Sequence, residues 1–221
     1  MTEHMRIEAY VASPAQAVAA EAEGAGRIEL CGPGEGGLTP SLSEMRETLA
    51  SVHVPVHVMV RPREGDFVYS DAEFAAMRQS VLDAKQAGAH GVVFGMLHAD
   101  RTFDVARMRE LIALARPMRI GVHRAFDGCA DFDAGLDVLL DLGVDVILAA
   151  GHETSALSGA PVLRRLTERA SGRTVIMAGG GVRAENVHAI LAQSGVPEIH
   201  ARATSPGIIA GLAAALRDQP R

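Results

Sequence analysis

The chain of 221 residues contains no tryptophan, two tyrosines and six phenylalanines. Its core must therefore be built from Ala, Val, Leu, Ile and Met, which suits helices packed on a parallel sheet. Cysteine is as scarce: Cys31 and Cys129 are too few for a disulfide framework and lack the paired spacing of a structural zinc site. Both are expected to be free thiols in a reducing compartment. The single lysine, Lys85, falls inside a helical stretch, which leaves Schiff-base chemistry without a candidate at a strand end. No run of Lys or Arg forms a basic stripe and the net charge is −6, so a nucleic-acid partner lacks its electrostatic footprint. No apolar run approaches the roughly 18 to 20 residues of a bilayer span, and MTEHMRIEAY has no signal-peptide pattern. The expectation is a cytoplasmic protein with no membrane partner. HExxH, P-loop, GxSxG and CxxC motifs are absent as well.

What is present is a regular alternation. Short β-branched runs (RIEAYV, RIEL, VHVMVRPR, GVVFGML, RIGVHRAF, VDVILAAG, TVIMAGGG, EIHARA) are each followed by an Ala/Leu-rich segment at helical spacing. Ser13-Pro14 opens the first helix, Ser41 with Glu44 forms a capping-box pattern, and Ser70 or Asp71 caps the third. Eight strand–helix pairs without a linker or composition shift predict an α/β fold, a (β/α)8 TIM-type barrel, as one domain over residues 1–221.

Alternation within each strand assigns its faces. Ile7, Ala9 and Val11 turn to the helices, which leaves Arg6, Glu8 and Tyr10 inside; Ile28 and Leu30 leave Arg27, Glu29 and Cys31 inside. The same argument turns His57, Met59, Arg61, His123, Glu198 and His200 inward. Barrel interiors are ordinarily filled by branched apolar side chains, and an unpaired buried charge costs several kcal/mol. These charges must pair or face a solvated pocket, and Cys31, Arg61, His123 and His200 stand at strand C-termini, where barrels keep their active sites.

The loops add candidates. RPREGDFVYSD carries Arg61, Arg63, Asp66 and Tyr69 over the mouth, and HRAFDGCAD carries His123, Arg124, Asp127 and Cys129, with Asp131 as a helix cap. MAGGGVRAEN follows the seventh strand, where barrels hold anions; Gly180, Gly181 and Arg183 are expected to do so, with Arg202, Thr204 and Ser205 beyond strand eight as further donors.

RIELCGPGEGGLTPS, RPREGDFVYSD, GVHRAFD and IMAGGGVRAENV together resemble the CutC family of copper homeostasis proteins, with the β/α register agreeing over nearly the whole chain. The resemblance implies a (β/α)8 barrel, a cytoplasmic location, and a role in binding or handling copper. It also implies Cu(I) ligands from cysteines near the ends of the first two strands. Cys31 matches the second; the first strand reads IEAYVAS and carries none. Cys129, His123, His200 or Met59 would have to complete such a site, since Cu(I) takes soft thiolate and thioether ligands.

Two functions follow. The resemblance points to a copper homeostasis protein with Cys31, Cys129 and His123 as ligands of Cu(I). The residues themselves point to a barrel enzyme for a small anionic metabolite bearing phosphate or carboxylate. In that reading Glu8, Glu29 and His123 move protons, and Arg61, Asp66, Arg124, Asp127, Gly180, Gly181, Arg183 and His200 hold the substrate. The expected partner is thus a copper ion or a small anion, and a homo-oligomer is compatible with either.

Overall fold

The computed structural model describes residues 6–217, so the ends of the expected 1–221 domain lie outside the described residues. Strands β1 (Arg6–Val11), β2 (Arg27–Leu30), β3 (Val56–Met59), β4 (Gly91–Phe94), β5 (Arg119–Val122), β6 (Val146–Ala149), β7 (Val175–Ala178) and β8 (Glu198–Arg202) pair in parallel and close into a barrel in sequence order. Between and after them run α1 (Pro14–Ala22), α2 (Leu42–Ser51), α3 (Asp71–Ala87), α4 (Val105–Ala115), α5 (Phe132–Asp141), α6 (Ala160–Ala170), α7 (Val187–Ser194) and α8 (Ile208–Arg217). The architecture is the expected (β/α)8 barrel.

Local chemistry starts the helices where the sequence places caps. Ser13 accepts from the Gln16 N–H ahead of α1, with Pro14 in the first turn, where its missing N–H is not needed. Ser41 and Glu44 form a reciprocal capping box on α2, and Ser70 and Glu73 form another on α3. Asp131 accepts from the N–H groups of Asp133 and Ala134 to start α5.

The two strand faces are separate. Ile7, Val11, Ile28, Leu30, Val58, Ile120, Ile147 and Ile199 join the main core with helix residues such as Met77, Leu111, Leu136 and Leu212. Each large apolar side chain buried there contributes roughly 1.5–3 kcal/mol. Inside the barrel, among the described residues, buried apolar side chains form two small clusters, Tyr10, Cys31, Met59 and Val93 in one and Val146, Leu148 and Met177 in the other. Charge occupies the rest. Arg27, with a side chain 1% exposed, pairs with Glu8 through Nε and with Glu198 through Nη2 at 2.6 Å, and Arg6 reaches Glu198 from the rim at 3.2 Å. His57 packs beside Glu8, and a Cβ at Gly91 would fall 2.5 Å from its Cδ2, so glycine there admits the imidazole. Burial lowers His57 to about 4, which keeps it neutral.

Candidate active site

Register stacks the inward residues into layers. Glu8 lies level with Arg27 and His200, and Glu29 with Tyr10 and His57. Above them, at the C-terminal ends of the strands, a cavity of about 600 Å³ opens to solvent, within the size range of small-molecule sites. Its wall includes Glu29, Met59, Arg61, His123, Arg124, Gly180, Gly181, Arg183, His200 and Arg202.

At the floor His200 bridges two carboxylates. Its Nδ1 lies 2.8 Å from Oε1 of Glu8 and its Nε2 lies 3.8 Å from Oε2 of Glu29. The two acids differ in state. Burial alone would raise Glu8, but Arg27 and His200 outweigh it and hold Glu8 well below the usual carboxylate range. For Glu29 burial wins, assisted by the Glu8 charge and opposed by His200, and its carboxyl is pushed up to about 7. Burial would lower His200; Glu29 and Glu8 raise it instead. Glu29 is therefore poised to give or take a proton at neutral pH, with His200, itself raised, beside it.

The wall is electropositive. Arg61 donates to the Glu35 and Gly65 carbonyls, both at 2.9 Å, and so ties the β2–α2 loop to the β3–α3 loop. Arg202 lies over the Tyr10 ring and Arg183 donates to the Val182 carbonyl. Among the described residues none of these three guanidinium groups has a carboxylate partner, whereas Arg124 pairs with Asp127 at 2.6 Å.

His123 behaves differently from His200. Its Nδ1 accepts from the Ala125 N–H at 3.1 Å, and the ring lies against Phe67 with centroids 4.8 Å apart. Burial, reinforced by the Arg61 charge, lowers it to about 3. The imidazole is neutral, and with Nδ1 accepting, its proton sits on Nε2.

Several expected site residues lie elsewhere. Glu8 is one layer beneath the cavity wall, where its carboxylate meets His200 Nδ1. Asp66 stands outside the cavity, where its carboxylate accepts from Arg63 at 2.8 Å and the Val68 N–H at 3.1 Å; a loop brace occupies the place assigned to a substrate ligand. Asp127 accepts from the Ala150 N–H at 3.0 Å and the His152 N–H at 3.2 Å, which joins the loops after β5 and β6 and aims Arg124. Arg63 is paired with Glu73, and Tyr69 is buried in the main core. Thr204 and Ser205 line a separate pocket of about 60 Å³ beside α1. Cys129, expected to join Cys31 and His123 on copper, is turned away by the one-turn helix Phe126–Gly128 and packs between strands and helices near Phe103 and Phe126. Burial raises its thiol to about 11.

Cys31 does sit inside the barrel, under the mouth. A Cβ at Gly37 would meet its Sγ at 2.7 Å, and Gly37 holds φ 82°, so only glycine closes the loop over this thiol. The Cys31 S–H faces Oε2 of Glu29 at 3.8 Å; burial and the carboxylate charges raise the thiol well above its ordinary value. The donor set is one protonated thiol with the Met59 thioether in the same cluster, a poor match for Cu(I) without a second thiolate. Donor atoms of Glu8, Glu29 and His200 lie within 4.8 Å of one another; those oxygens and that imidazole suit a harder cation. Phe67, Leu148 and Glu35 also line the cavity, and no sequence argument singled them out. The signal available for Phe67 was the Phe-Val-Tyr run that interrupts an otherwise polar loop at the barrel mouth.

The CutC family matches residues 5–205. A human protein named copper homeostasis protein cutC homolog is 46% identical over 200 residues, covering 90% of this chain and 73% of its own length. A family protein CutC of Parabacteroides distasonis is 43% identical over 201 residues, covering 90% and 83%. The crystal structure of the CutC protein of Streptococcus agalactiae superposes with a TM-score of 0.85 at 30% identity, covering 90% of this chain and 100% of that one. This chain belongs to the CutC family.

Proposed function

We propose that this protein is a barrel enzyme that binds a small metabolite bearing a phosphate or carboxylate group at the strand C-termini and moves a proton on it. One observation carries the reading: a carboxyl poised at about 7, Glu29, shares a cavity with Arg61, Arg183 and Arg202, none of them ion-paired among the described residues. Such cations favour an anionic ligand, and Glu29 is the group whose proton is exchangeable at neutral pH. His200 favours the ionised form of Glu29, and the Glu8 charge behind it opposes ionisation.

The test is a thermal-shift screen of anionic metabolites against wild type and Arg183→Ala. At least one anion is expected to raise the wild-type Tm and to lose most of that effect in the variant. A library that leaves the wild type unmoved contradicts the proposal.

The relatives' names favour a second reading, in which the chain handles copper. Its support in the geometry is the contact cluster of the Cys31 thiol with Met59. Copper(I) competition against a calibrated chelator separates the two readings: tight binding lost in Cys31→Ser supports the copper role, and equal weak binding in both proteins refutes it.

A further inference from the structure

His123 lines the cavity, and it carries a ring nitrogen that no group among the described residues satisfies. Its Nδ1 is committed to the Ala125 N–H, and the Nδ1–Cε1 edge is packed against Gly95 and Ala125: a Cβ at Gly95 would fall 3.1 Å from Cε1 and 3.2 Å from Nδ1. Nε2 is buried and has no hydrogen-bond partner. Leaving a buried donor unsatisfied is costly, and a neutral imidazole whose Nδ1 accepts can only donate from Nε2. Phe67, itself under the Arg61 guanidinium at 5.1 Å, lies against the ring with centroids 4.8 Å apart and gives it an apolar neighbour.

We infer that the His123 Nε2–H donates to a carbonyl oxygen of the substrate, which makes the substrate an anionic carbonyl compound and the reaction its enolisation. This rests on the proposed proton transfer at Glu29 and specifies its chemistry. The C–H bond next to the carbonyl breaks, and its proton goes to the Glu29 carboxylate. The electron pair forms the carbon–carbon double bond while the carbonyl π pair moves to oxygen. The oxyanion so formed accepts from Nε2–H, and Glu29 returns the proton, or one exchanged with solvent, to the carbon it left while the carbonyl reforms. No oxidant, reductant or co-reactant is needed. A neutral donor in a water-poor position stabilises the developing oxyanion without an opposing charge to desolvate.

The experiment is calorimetric binding of simple anions and matched enolate mimics: inorganic phosphate against 2-phosphoglycolohydroxamate, and acetate against oxalate. It uses wild type, His123→Phe and His123→Gln. At least one mimic is expected to bind wild type about tenfold or more tighter than its simple anion. His123→Phe should remove that advantage without weakening the simple anion, and His123→Gln, which keeps an N–H donor, should restore part of it. The arm that responds identifies the anionic group as phosphate or carboxylate. If simple anions bind but no mimic gains, or the gain survives in His123→Phe, the carbonyl contact is wrong while the anion site stands. If neither class binds wild type, both readings fall. Nitrogen-15 NMR of histidine-labelled wild type is independent of variant folding: a neutral Nε2–H form at pH 7 is expected for His123, and an Nδ1–H form or an imidazolium overturns the inference.

Discussion

Replacing Glu29 by Gln isolates the cost of a buried carboxylate. The Glu29 carboxyl moves from an ordinary 4.5 to about 7 on folding, chiefly because burial disfavours its charge. A raised carboxyl binds more protons folded than unfolded, so its stabilising proton is fully retained below about 4.5 and lost as pH rises through 7. A shift of that size corresponds to about 3 kcal/mol. Gln fills the same space and cannot ionise, so the cost disappears in the variant. Glu8 has the opposite sign: its lowered value gives stability that is present above 4.5 and lost in acid, and both proteins share it. Urea unfolding of wild type and Glu29→Gln at pH 5, 6, 7 and 8 is the assay. The variant should gain on wild type by roughly 2–3 kcal/mol between pH 5 and pH 8. A difference that does not change with pH would refute the assignment of Glu29 as the carboxyl poised near neutrality.

Arg27→Met removes the buried cation between Glu8 and Glu198 and leaves Glu8 to His200 and Glu198 to the half-exposed Arg6; a loss of about 3–5 kcal/mol in urea unfolding is expected, and a change under 1 kcal/mol would show the pairing to be dispensable. Both cysteines are buried with raised thiols, so iodoacetamide should alkylate native protein far more slowly than the urea-unfolded chain, with Cys31 the slower of the two; rapid native labelling of Cys31 would contradict its placement beneath Gly37.

The barrel was legible because its signals are local and repeated. The β/α alternation, the Ser41–Glu44 box and the period of two in RIEAYV and RIEL each act within a few residues, and together they place Glu8, Glu29 and His200 inside. The misplaced residues depend on longer-range geometry. Cys129 follows a single helical turn whose direction decides whether the thiol faces the mouth or the helices, and the spacing from His123 does not encode that direction. Asp127 is committed to the backbone of Ala150 and His152 across another loop, so a carboxylate beside Arg124 reads as a ligand until that loop is seen. The opposite states of Glu8 and Glu29 were equally hidden. They arise from Arg27 lying beside one acid and not the other, a consequence of barrel register.

The central claim, proton transfer by Glu29 on an anionic substrate, is tested most directly by solvent exchange. Anions that stabilise the wild type are incubated with it in D2O, and loss of carbon-bound proton signals is followed by NMR. The account predicts enzyme-dependent deuterium incorporation into at least one of them, abolished in Glu29→Gln. Incorporation that persists in Glu29→Gln, or stabilising anions that never exchange, would contradict it.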